Sequence, residues 1–164
     1  IHRGVVGGFF EPQPSQILFG KSAYDHFGRA VAVCDFNADG RLDLAVGANY
    51  AENLDVETIL SSQGGVFIYL GEPGGGFGVE PDTVVWGEVP DGAGGWTPVA
   101  NLYLGWSLAA GDFDGDGACD LAAGAYRYKT TADYDGAVYL YRGIETGITA
   151  HPVAAWAAMA FPGP

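Results

Sequence analysis

The sequence predicts an all-β fold built from four-stranded antiparallel propeller-type blades: two full blades and an N-terminal partial blade. Three observations carry this. A segment of 22 residues recurs once without a gap, from Phe27–Ala48 to Leu104–Ala125. Each copy is followed by further short apolar runs that also match. Glycine occurs 27 times in 164 residues, which suits many tight turns better than long helices.

The four strands of each repeat read as follows. The first two runs, Ala30–Val33 and Leu44–Val46 in the first copy, are rich in Ala and Gly and flank an acidic turn. Small side chains belong where strands crowd together near the axis of a radial array. The third run, Val66–Leu70, resembles Val138–Arg142. The fourth, Thr83–Trp86, resembles Val153–Trp156. These outer runs carry Phe, Tyr and Trp, as the wider rim of a blade requires. All are short, β-branched or aromatic, and bounded by Gly, Asp or Pro. At the N-terminus, Gly4–Phe10 reads as a third-strand equivalent, and Gln16–Gly20 lines up with the outer strand at Val84–Gly87. The organisation is therefore 1–26, a partial blade or an arm with an outer strand; 27–88, the first blade; 89–103, a connecting loop; 104–157, the second blade; and 158–164, a tail.

Composition narrows the function. Net charge is −13 with only seven Lys and Arg, which excludes a basic nucleic-acid surface and disfavours anionic membranes. No apolar run reaches transmembrane length, so no membrane insertion is expected. The chain starts at Ile1 and its only Met is Met159, so it reads as a processed product or a fragment. Asn37, Asn49, Asn53 and Asn101 all fail the N-glycosylation pattern. Cys34 and Cys119 occupy different repeat positions. Two buried free thiols is the preferred reading, with a disulfide left open.

The carboxylates concentrate in two nine-residue turns, Asp35–Asp43 and Asp112–Asp120. Oxygen side chains fall at positions 1, 3, 5 and 9, with Gly at 6. Calcium takes six to eight hard oxygen ligands in a flexible shell. Asp35, Asn37, Asp39 and Asp43 supply four side chains, and Arg41 a backbone carbonyl at position 7. Asp112, Asp114, Asp116 and Asp120, with the Ala118 carbonyl, form the second set. The expectation is two Ca²⁺ per chain. An EF-hand is excluded because position 12 is Val46 or Ala123 rather than Glu. Magnesium, which holds a strict octahedron and several waters, fits less well. A solvated acidic turn is the plain alternative, and the duplication argues against it.

Phe27-Gly28, the Asp loop and Gly47-Ala48 together resemble the FG-GAP repeat, echoed by Leu104-Gly105 and Gly124-Ala125. Such repeats form the N-terminal propeller of integrin α subunits and occur in many bacterial extracellular proteins. The resemblance implies four-stranded blades, structural calcium in the inner hairpin, and adhesion or binding roles outside the cell or at its surface. Integrin propellers close with seven blades, so recognition by a complete top face does not carry over.

Enzyme readings are thin. His2, His26 and His151 lie in no motif with a nucleophile, and Gly74–Gly76 lacks the Lys-Ser or Lys-Thr of a phosphate loop. No catalytic residue and no organic cofactor is expected. Trp96, Trp106, Tyr126 and Tyr128 are candidates for stacking on sugar, weighed against a place in the outer core. The expectation is a non-enzymatic extracellular calcium-binding protein that self-assembles head to tail, a filament being slightly preferred to a ring. The alternative is an adhesion or carbohydrate-binding module cut from a larger propeller, with a glycan or extracellular protein as ligand.

Overall fold

The computed structural model describes residues 1, 13–54, 57–129 and 135–157. Two four-stranded antiparallel sheets dominate. In the first, β1 (Ala30–Cys34), β2 (Asp43–Ala48), β3 (Gly65–Tyr69) and β4 (Thr83–Trp86) lie in sequence order. The connector that follows is not a bare loop. It carries a hairpin of β5 (Glu88–Pro90) and β6 (Trp96–Pro98), turned at Asp91, whose carboxylate accepts the Ala93 and Gly95 N–H groups.

The second sheet contains β7 (Leu104–Gly111), β8 (Asp120–Ala125), β9 (Ala137–Tyr141) and β12 (Ala154–Ala157) in the same spatial order. Between β9 and β12 sits a short hairpin, β10 (Gly143–Ile144) with β11 (Gly147–Ile148). The repeat alignment holds in the ladders: Ala30 pairs with Gly47 and Ser107 with Gly124. It slips at the fourth strand. Val66 faces Val85 in blade 1, whereas its counterpart Val138 faces Trp156, one residue beyond the sequence match.

Gln16–Gly20 forms no strand. It is tethered by Gln16, whose amide donates to the Phe77 carbonyl at 2.6 Å and accepts from the Phe77 N–H at 3.0 Å. The strand expected at Gly4–Phe10 and the tail beyond Ala157 lie outside the described residues.

The main core lies between the blades. Blade 1 contributes Ala45, Val66, Ile68 and Val85; blade 2 contributes Leu104, Leu121, Ala123, Tyr139 and Tyr141. A second cluster, Val46, Phe67 and Tyr69, lies on the far face of blade 1 beneath Leu18, Phe27 and Trp86. The approach of the blades is set by backbone. A Cβ on Gly47 would fall 2.2 Å from the Gly105 carbonyl oxygen, and Gly105 sits at φ +84°. Only glycine meets both conditions at low cost.

Cys34 and Cys119 form a disulfide, with Cα atoms 5.9 Å apart, rather than two free thiols. The reason is the stacking itself. One face of a blade meets the opposite face of the next, so residues from different repeat positions become neighbours. The Cys119 N–H also donates to the Asp35 carbonyl at 2.8 Å, across the same seam.

Candidate metal centres in the inner hairpins

The β1–β2 and β7–β8 turns share three hydrogen bonds and differ in another, since Asp35 also accepts from the Asp39 N–H whereas Asp112 accepts from the Gly115 N–H. The position-1 carboxylate accepts the N–H of position 6: Gly40 to Asp35 at 2.8 Å and Gly117 to Asp112 at 3.1 Å. Position 5 accepts from position 7, Arg41 to Asp39 and Ala118 to Asp116, each at 2.9 Å. Position 3 accepts from position 5, Asp39 to Asn37 and Asp116 to Asp114. These bonds curl each turn so that alternate side chains share one side. The reversal also uses position 4, where Ala38 and Gly115 adopt φ +57° and +80°.

Position 9 has a distinct role. Asp43 and Asp120 are buried, and each carboxylate accepts two backbone N–H groups. One comes from position 2 (Phe36 or Phe113), the other from the residue ending the third strand's exit (Gly71 or Gly143). The Asp therefore pins the turn to β3 or β9. Burial pushes the Asp43 carboxyl up, opposed by the Gly71 and Phe36 N–H groups. The Asp39 carboxyl is held below its ordinary range, chiefly by the Arg41 N–H.

Carboxylate oxygens of Asp112, Asp114 and Asp116 lie within 4.8 Å of one another, all exposed. Such convergence of hard oxygen donors, without His or Cys, suits calcium and disfavours zinc. Guanidinium groups face these acids: Arg142 contacts Asp114 and lies 3.4 Å from Asp116, and Arg41 contacts Asp39. Among the described residues the convergence of acids is in the second loop, where Asp112, Asp114 and Asp116 offer a donor set that fits a divalent cation. Asp35, Asn37, Asp39 and Asp43, with the Arg41 carbonyl, would hold one. Asp112, Asp114, Asp116 and Asp120, with the Ala118 carbonyl, would hold the other.

The four candidate sugar-stacking residues separate. Trp96 and Tyr128 pack on Tyr139 in the core, with ring centroids 6.1 and 6.3 Å away. Trp106 and Tyr126 stay together, 4.4 Å apart, with Arg29 stacked 3.8 Å over the indole. They end a ladder of rings that runs through Tyr103 and Tyr50 to His26. Sequence reasoning missed the ladder. Its signal was positional, since Trp106 and Tyr126 directly follow Leu104-Gly105 and Gly124-Ala125. The His151 imidazole faces the Glu88 carboxylate at 3.0 Å, and Gly74–Gly76 closes a tight turn in which the Glu72 N–H reaches the Gly76 carbonyl.

Comparison with known proteins agrees with the blade pattern. The FG-GAP repeat profile matches residues 27–69 and 104–141. Integrin alpha-4 of Xenopus laevis is 35% identical over 143 residues, covering 85% of this chain and 12% of that protein. Integrin alpha-7 of Homo sapiens is 34% identical over 140 residues, 85% of this chain and 10% of that protein. Phosphatidylinositol-glycan-specific phospholipase D of Homo sapiens is 33% identical over 117 residues, 70% of this chain and 12% of that protein. The chain thus spans about a tenth of the length of these relatives. With its blade geometry, repeated Asp turns and profile match, the chain belongs to the FG-GAP repeat family.

Proposed function

We propose that this chain is a non-enzymatic, calcium-braced structural module that works outside the cell or at its surface and assembles head to tail. The observation that carries the calcium reading is the duplicated turn: two loops in different blades repeat the same oxygen positions and share three backbone hydrogen bonds. In each loop the ion draws together acids that otherwise repel. It thereby fixes the hairpin that Asp43 or Asp120 ties to the third strand. The Cys34–Cys119 disulfide joins the start of one loop to the end of the other, and such bonds persist in oxidising compartments. The activity implied by the name of the phospholipase D relative is not transferred, because this chain matches only 12% of that protein.

The test is thermal unfolding with calcium, with EGTA, and with magnesium added back. An ion at one hundred times its Kd stabilises by about 2.7 kcal/mol per site, and each kcal/mol moves Tm by roughly 2–4 °C at this chain length. EGTA should lower Tm by several degrees, and magnesium should restore it poorly. An unchanged melting curve after verified metal removal would sink the assignment.

One observation favours a second reading, a carbohydrate-binding or adhesion module. Exposed Tyr126 and half-buried Trp106 line a hollow on blade 2 together with Asp135 and Ser107. Glycan-array binding that disappears in Trp106→Ala would support it.

A further inference from the structure

The two Asp turns meet at a single peptide. The Cys119 N–H donates to the Asp35 carbonyl at 2.8 Å. Asp35 is the first oxygen residue of the first turn. The other edge of the same peptide is the Ala118 carbonyl, the position-7 donor of the second turn. The peptide is trans, so its carbonyl points away from the first turn while its N–H points toward it. One rigid plane therefore carries a candidate ligand of the second turn on one edge and a hydrogen bond to the first turn on the other.

A covalent bond and close packing hold that plane in place. Cys34 immediately precedes Asp35, and Cys119 stands between Ala118 and Asp120. The disulfide thus runs from the entry of the first turn to the exit of the second. Phe36, Ala118 and Asp120 beside it are buried. A Cβ on Gly143 would fall 2.4 Å from the Cys119 carbonyl oxygen, 2.8 Å from the Phe36 carbonyl oxygen and 2.9 Å from the Ala118 Cβ. The Gly143 N–H also donates to the Asp120 carboxylate at 2.9 Å. Gly143 is therefore wedged against both turns. All of these contacts lie inside the seam between the two blades.

We infer that the two turns bind calcium cooperatively, and that the Cys34–Cys119 bond together with the Ala118–Cys119 peptide carries the coupling. The inference rests on the calcium reading and adds a property that neither turn has alone. An unfilled turn holds acids that repel one another, and ordering it costs conformational entropy. When the first turn is filled, Asp35 is held, and with it the acceptor of the Cys119 N–H. The cystine passes that restraint to Ala118–Asp120, the segment that supplies the Ala118 and Asp120 donors. Part of the ordering cost of the second turn is then already met. Polar groups in series also polarise one another. An Ala118 carbonyl engaged by a cation makes the Cys119 N–H a stronger donor toward Asp35. The effect is reciprocal, since linkage requires each site to change the other's affinity by the same factor.

The test is calcium titration of the full chain by calorimetry, in wild type, Asp39→Ala and Asp116→Ala, each confirmed as folded by near-UV circular dichroism. The two variants report each site with the other disabled. The overall constant for filling both turns of wild type should exceed the product of the two single-site constants by about fivefold or more. The same three titrations on the Cys34→Ala/Cys119→Ala background should give a ratio of about twofold or less. A second readout leaves the cysteines in place. In Asp116→Ala, where only the first turn binds, calcium should slow hydrogen exchange at the Cys119 amide, although that residue belongs to the second turn. An overall constant equal to the product overturns the inference, and so does Cys119 exchange that ignores calcium in Asp116→Ala. An undiminished ratio without the cysteines overturns the role given to the disulfide. Two ions bound independently leave the calcium reading standing, whereas a wild type that binds none removes both.

Discussion

Replacing both half-cystines, as Cys34→Ala/Cys119→Ala, isolates the bond that crosses the blade seam. The two residues are 85 apart in sequence, so the bond closes a long loop in the unfolded chain. The chain-entropy relation gives about 4.6 kcal/mol at 25 °C for a loop of that size, against a typical measured range of 2–4 kcal/mol. At roughly 2–4 °C per kcal/mol, the variant should melt on the order of 10 °C lower. Both side chains are half-buried and small, so alanine leaves little cavity. The assay is urea unfolding without reductant. The midpoint should fall and the m-value should rise, because the unlinked unfolded chain exposes more surface. A thiol assay on denatured wild type should find no free thiol. Two reactive thiols, or a midpoint that moves by less than about 1 kcal/mol, would refute the reasoning.

Further outcomes follow from individual side chains. Asp39→Ala and Asp116→Ala should each lower calcium stoichiometry from two to one per chain by calorimetry; a variant that still takes both ions would show the ligand set to be wrong. Ala38→Gly should stabilise the fold by about 1 kcal/mol, since Ala38 holds φ +57° where its repeat counterpart is Gly115; an unchanged urea midpoint would contradict this. Glu88 is buried against His151, and burial raises its carboxyl pKa while the His151 charge pulls it down. The folded chain therefore binds this proton more tightly than the unfolded chain. The Glu88 contribution to stability is full below the ordinary glutamate value of about 4.3 and is lost as pH rises through the raised value. Glu88→Gln should flatten the decline of urea midpoints above that pH, and identical slopes in both proteins would rule the effect out.

What the sequence determined by itself is local and repeated. The four strand runs of each blade, the small residues of the inner strands and the oxygen positions of the two turns all lie within short stretches. There, alternation, glycine and Asx chemistry act between near neighbours. The candidate ligands Asp112, Asp114 and Asp116 converge because a single tight turn joins them. The connector was less legible. The β5–β6 hairpin has two very short strands, and its Asp91 turn gives no period to detect.

The tertiary structure decided whatever depends on one blade meeting another. Phe36 and Phe113 occupy the same motif position, yet one is fully buried and the other half exposed, because among the described residues only blade 1 has a neighbour packed over that face. The disulfide was hidden for the same reason. Comparing repeats superimposes equivalent positions, whereas stacking brings one face against the opposite face and so joins Cys34 to a residue eight positions further along the repeat motif. The ring ladder from His26 to Trp106 likewise gathers residues from four separate turns around the seam. Periodicity reports which side of a strand a residue takes; it carries no information on what packs against that side, which is set by contacts between residues far apart in the chain.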